Sequence, residues 1–258
     1  MHNNKKQADK RKQKSMSQQH VADASGDAKS RAGHLSYKNI LLITLFALLA
    51  CGLHSLLLYT PFNQYVFTSA FKVIVFILCP AICFAVTNEG RFKDLFSVRG
   101  NKKNIKASLF FSIGVFVFIL AAFFAINPLL DRQMIVGALS NVGITGDNYF
   151  FALAYYILIN VALEELFFRG FLFSVLYRMN VKRYAHIFSS LLFAVYHISV
   201  MREGVTLGIL VLATVGLVFV GLLFNDITRR CESVVGSYAI HMSASLAIGL
   251  IGAYYLYF

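Results

Sequence analysis

Asn160-Val-Ala-Leu-Glu164-Glu165-Leu-Phe-Phe-Arg169-Gly170 is the stretch on which the reading of this chain turns. It lies in the middle of an apolar run of almost 30 residues, about 149–177, long enough to cross a bilayer as a helix. Two adjacent carboxylates and a guanidinium at such a depth are costly: insertion scales put a central Asp, Lys or Arg at about 2.5–3.5 kcal/mol each. Charges kept there mark function or a paired network. Glu165 and Arg169 stand at i, i+4, where a helix brings carboxylate and guanidinium together. Glu164 is turned about 100° away and has no such local partner. The expectation is one structural pair and one carboxylate free to act as a base.

Outward from this stretch, the same composition recurs. Of 258 residues, 58% are apolar and only 14% charged, against about 25% in an ordinary soluble domain. Apolar runs fall at about 39–59, 65–87, 107–126, 149–177, 185–201, 205–224 and 233–256. Backbone in lipid must satisfy its own hydrogen bonds, and the runs lack the alternation of a barrel, so they are expected to be helices. The fold class is therefore all-α, a polytopic membrane helix bundle of about seven spans, with a short re-entrant segment possible within 127–148.

The formal charge of +12 resembles a nucleic-acid signal until the basic residues are located. Nine of the 24 Lys/Arg lie in residues 1–38, six in 88–106, three in 178–184, and two at Arg229 and Arg230. These are the tail and alternate loops, so the positive-inside rule gives a cytoplasmic N-terminus and an outside C-terminus, with no nucleic-acid partner. The opposite set has only Arg132 and Arg202, with Lys72 near a helix start and Arg169 inside a span. Three parts follow: a disordered basic tail at 1–38, N-terminal spans at 39–148, and core spans at 149–258. The tail is read as a topology anchor, with attraction to anionic lipid as its alternative role. The four cysteines, Cys51, Cys79, Cys83 and Cys231, form no disulfide or paired metal-knuckle pattern. Gly204, Gly208, Gly216 and Gly221 read as close helix packing. No internal repeat is evident, which weighs against a transporter of inverted halves.

Two further histidines lie deep in spans, His197 in Phe193-Ala-Val-Tyr-His197 and His241 in Ser237-Tyr-Ala-Ile-His241-Met-Ser-Ala-Ser245. Counting about 1.5 Å per residue from the inner span ends puts Glu164 at about 20 Å, His197 and Ser245 at about 18 Å and His241 at about 12 Å. They can share one layer. His186, at the inner interface, and His54, high in the first span, are expected outside it. A carboxylate with an imidazole can activate water, and a second imidazole with a hydroxyl can donate to an oxyanion, the minimum equipment for hydrolysing an amide. The same groups can bind zinc, and intramembrane Glu and His also build proton relays.

Glu164-Glu165-x-x-x-Arg169, then Phe193-x-x-x-His197, then His241, each inside a span and in this order, resemble the CAAX-prenyl-protease and bacteriocin-processing (CPBP, Abi) family of intramembrane glutamate endopeptidases. The resemblance covers roughly 149–250. It implies an integral membrane protease of the cell envelope that needs no obligatory metal or other cofactor and takes a membrane-associated peptide or protein substrate. It implies that Glu164 with His197 polarises the attacking water, that Glu165 and Arg169 shape and support the site, and that His241 helps to stabilise the oxyanion. Where the family usually carries Asn or Asp four residues after this histidine, the chain has Ser245, a shorter and weaker donor. A non-catalytic binding or bacteriocin-immunity protein of the same fold, and less so a proton-coupled transporter, stay open beside the enzyme.

Overall fold

The computed structural model describes residues 37–96, 100–201 and 206–258. Most of the basic tail, together with Gly204 and Arg202, lies outside the described residues. Cα packing separates two units, Met1–Leu42 and Ile43–Phe258. The first contributes only the opening turns of a helix to the described residues; the second carries everything discussed below.

Every regular element among the described residues is helical. Besides two short 3-10 turns at Phe92–Phe96 and Asn127–Leu129, they are α1 (Tyr37–Leu57), α2 (Tyr65–Thr87), α3 (Lys102–Ile126), α4 (Arg132–Asn141), α5 (Tyr149–Arg178), α6 (Lys182–Met201), α7 (Leu207–Cys231) and α8 (Val235–Tyr257). Six are long and apolar enough to cross a bilayer: α1, α2, α3, α5, α7 and α8. The protein is thus a polytopic helical membrane bundle, as its apolar runs imply. The expected fifth span is α6, a helix of 20 residues whose first two turns carry Lys182, Arg183 and His186. The segment read as possibly re-entrant holds the short α4, capped by Asp131, whose carboxylate accepts from the amides of Gln133 and Met134.

Local chemistry sets the helix ends. Asn101 caps α3 by accepting from the Asn104 amide, and Thr206 caps α7 through the Ile209 amide. Asn88 and Glu232 close α2 and α7 in the left-handed conformation, at φ 57° and 53°. Large apolar side chains such as Phe110, Phe118, Leu212 and Phe219 are exposed, which suits a lipid solvent.

α5 departs from a regular α-helix. It is π-helical at Tyr156–Asn160 and again at Leu166–Phe173, on either side of the short α-helical stretch Val161–Glu165. Such i→i+5 stretches are uncommon and recur at functional sites. Here they frame both glutamates.

The tightest helix pairs are α3 against α8 and α6 against α7. Between α6 and α7, the buried Asn225 donates to the His186 carbonyl and the Ser190 hydroxyl, both at 3.1 Å. A Cβ on Gly221 would lie 2.9 Å from Ser190 Cα, so this glycine lets the two backbones close. Around Gly208 and Gly216 no atom would meet a Cβ within 4 Å. The packing role expected of the glycine series therefore holds for Gly221 and is corrected for those two, which look onto open space. All four cysteines are free and buried, as small apolar side chains would be.

Candidate active site

α5 is the spine of the site, and four other helices press side chains against it. Around it lies an aromatic core. Phe76 of α2 stacks on Phe167 at 4.2 Å, and Phe168 meets Phe193 edge-on at 5.3 Å. Phe167, Phe168, Phe171 and Phe193 are all at most 1% exposed. This apolar shell makes the charges inside it dependent on one another.

The expected Glu165–Arg169 pair is present, with Nη1 donating to Oε1 at 3.1 Å. Arg169 is fully buried. Its guanidinium lies 4.1 Å from the Phe193 ring centre and 4.9 Å from that of Phe224, held between faces presented by α6 and α7. Its Nε and Nη2 have no hydrogen-bond acceptor among the described residues, so these ring faces take the acceptors' place. Ser174 donates to the Arg169 carbonyl at 2.6 Å across the π-helical stretch.

Glu165 has a second partner, because His241 of α8 places Nδ1 2.9 Å from the same Oε1. A carboxylate only accepts, so Nδ1 carries the proton, and Nε2 is left facing the other way. His197 of α6 is fixed likewise: its Nδ1 donates to the Phe193 carbonyl at 2.8 Å. Both free Nε2 atoms point at one atom, Oε2 of Glu164, at 3.5 Å from His197 and 3.7 Å from His241. The ligand atoms of the three residues lie within 4.8 Å of one another. Three acceptors so arranged form a cup for one donor-rich guest, a water or a cation.

Glu164 is not the free carboxylate its sequence position implies. Lys72 of α2, only 3% exposed, donates to its Oε1 and to Asn160 Oδ1 at 2.6 Å, while Asn160 Nδ2 adds a bond to the same Oε1 at 3.2 Å. The ammonium also lies over the Phe76 and Tyr196 rings, at 5.4 and 5.0 Å. Lys72 therefore belongs to the membrane interior, not to a helix start. Its register explains this: seven residues beyond Tyr65 put it about 10 Å along the helix. The four buried charges, Lys72, Arg169, Glu164 and Glu165, sum to zero.

The remaining histidines and Ser245 fall as follows. Ser245, 2% exposed, lies one turn beyond His241. His186 packs on Phe173 and Tyr177 at the far end of α6, outside the site, as expected. His54 is buried and leans on Tyr196 at 5.4 Å, so it borders the site more closely than its sequence position implies. A cleft of about 430 Å³, lined among others by Leu95, Phe173, Tyr177, Arg178 and Arg229, contains none of the residues of the cup.

The residues that α5, α6, α7 and α8 bring to this constellation fall inside a recognised segment. Residues 146–247 match the family model described as type II CAAX prenyl endopeptidase Rce1-like. The match bears out the resemblance drawn from the three motifs and covers every residue of those motifs. No curated protein and no solved structure matches the chain. The Rce1-like segment implies a CAAX-type protease, a peptide hydrolase held in the membrane, acting on a peptide or protein. Lys72 lies outside that segment, on a helix that the family match does not reach.

The cup must also be tested against a metal. Two imidazoles and a carboxylate suit zinc in kind. The Lys72 ammonium, bonded to the same carboxylate, does not, because it would lie against a dication within a dry shell. The donor set fits zinc and the charge set does not.

Proposed function

We propose that the chain is an intramembrane endopeptidase of the glutamate type, hydrolysing a peptide bond of a membrane-associated peptide or protein with a water activated by Glu164 and His197. The observation that carries this reading is the cup itself, in which Oε2 of Glu164 faces two Nε2 atoms whose protons are already committed at Nδ1. A water there donates to Oε2 and to His197 Nε2, leaving a lone pair for the scissile carbonyl. Glu164 takes the proton and returns it to the amine as the bond breaks. Glu165, accepting from His241 Nδ1, offsets the charge of an imidazolium whose Nε2 then donates to the developing oxyanion. Arg169 keeps Glu165 in place, and Ser245 is the candidate hydroxyl donor. The membrane is taken to be the cell membrane, with the tail on its cytoplasmic side.

Purified protein and its Glu164→Gln variant, at matched folding quality, would be compared on peptides with and without a C-terminal prenyl-cysteine, with products read by mass spectrometry. The expected result is cleavage by the wild type and none by the variant. Equal cleavage by both would overturn the reading. A binding or immunity protein of the same fold has one observation in its favour, the short Ser245 where a stronger oxyanion donor is expected. A phenotype that survives Glu164→Ala combined with His197→Ala would favour it.

A further inference from the structure

The oxyanion is the weak point of the proposed centre. Ser245 offers one hydroxyl on a short side chain, and His241 donates from Nε2 only when it carries a second proton. A tetrahedral intermediate in an aromatic, largely dry shell needs a donor that is present throughout.

Lys72 supplies one. An ammonium has three N–H donors, and two are spent, on Glu164 Oε1 and Asn160 Oδ1. The third has no acceptor among the described residues. The ammonium sits on one oxygen of Glu164 while the cup for water sits on the other. A carbonyl attacked from the cup therefore has its oxygen within reach of Nζ. The rings of Phe76 and Tyr196 lie 5.4 and 5.0 Å from the ammonium, and with its two hydrogen bonds they hold it in place, so it need not reorganise as charge develops. We propose that Lys72 is a catalytic residue of this centre, whose third N–H donates to the oxyanion and does the work for which Ser245 is too short.

This inference rests on the hydrolytic reading of the site. The step balances without any further reagent. The water oxygen bonds to the carbonyl carbon, its proton passes to Glu164, and the carbonyl π pair moves onto the oxygen that Lys72 holds. Return of that pair expels the amine nitrogen, which takes the proton back. Peptide and water give a carboxylic acid and an amine.

The test measures kcat and KM for wild type, Lys72→Met, Lys72→Arg, Glu164→Gln, Ser245→Asn and the Lys72→Met/Ser245→Asn double variant, on quenched fluorescent peptides with and without a C-terminal prenyl-cysteine. An interaction made only in the transition state lowers kcat with KM little changed, and loss of one oxyanion donor costs about 100- to 1000-fold. That is the expectation for Lys72→Met. Lys72→Arg, which keeps a charged donor, should retain more kcat. Ser245→Asn, which lengthens the neighbouring donor, should raise kcat by a larger factor in the Lys72→Met background than in wild type, which a counter-ion role alone would not produce. Should Lys72→Met fail to fold, Lys72→Gln keeps a donor toward Glu164 and carries the same comparison.

A kcat within a few-fold of wild type in Lys72→Met, or a loss confined to KM, overturns the proposal. With Glu164→Gln inactive, that result leaves the protease reading standing. Wild type that cleaves no peptide, or Glu164→Gln that cleaves as wild type does, overturns the reading and this inference with it.

Discussion

Arg169 shows at the scale of one residue why the site is built as pairs. A guanidinium with no water around it is tolerable because Glu165 and two aromatic faces take its charge. Glu165→Ala should therefore cost about 3–5 kcal/mol, the range for removing one partner of a buried pair. Thermal unfolding in detergent would measure it, and Glu165→Gln combined with Arg169→Met should recover part of the loss. A single variant as stable as wild type would mean that the pair carries no stability. The i, i+4 spacing made this pair legible in the sequence. Lys72 was not, because one lysine near the edge of an apolar run counts naturally as a loop charge. One signal did point to it: two buried carboxylates against one buried arginine leave a charge unmatched, and Lys72 is the one other cation inside a span.

At the scale of elements, the site depends on how α5 is wound and on how closely α6 meets α7. The π-helical stretches carry no residue signature. The second stretch packs against Leu95, where a Cβ on Gly170 would lie 3.4 Å from the Leu95 carbonyl oxygen, an ordinary contact. The α6–α7 contact matters because α6 positions His197. Gly221→Ala would push a methyl into the Ser190 backbone and should destabilise by about 1–3 kcal/mol. Gly216→Ala meets nothing and should be neutral or stabilising by up to about 1 kcal/mol, through the gain in helix propensity. Thermal unfolding of the two variants side by side checks the contrast. Equal effects would refute the difference drawn between two glycines of one helix.

At the scale of the whole molecule, charge decides what the centre accepts. A unit charge pair about 4 Å apart interacts by about 4 kcal/mol at an effective dielectric near 20, and a dication beside the Lys72 ammonium doubles that repulsion. Peptide cleavage should accordingly persist in strong chelator, with no stoichiometric zinc by elemental analysis; loss of cleavage restored by zinc would reverse the assignment. Reporters fused at the two termini should place Met1 inside and Phe258 outside, given the Lys/Arg of alternate loops. Inside and outside exchanged would refute the charge-based orientation. The sequence by itself determined that this is a helical membrane protein, where its helices run, that Glu165 pairs with Arg169, and that Glu164, His197 and His241 can share a layer. Each follows from local spacing or from the cost of polar groups in lipid, which any single helix already feels. Only the tertiary structure decided that both imidazoles turn Nε2 toward one oxygen of Glu164 and that Lys72 of α2 holds the other. Those contacts join residues up to 92 positions apart on helices whose rotation about their axes is set by packing, and an apolar sequence that is hydrophobic all round does not encode which face turns inward.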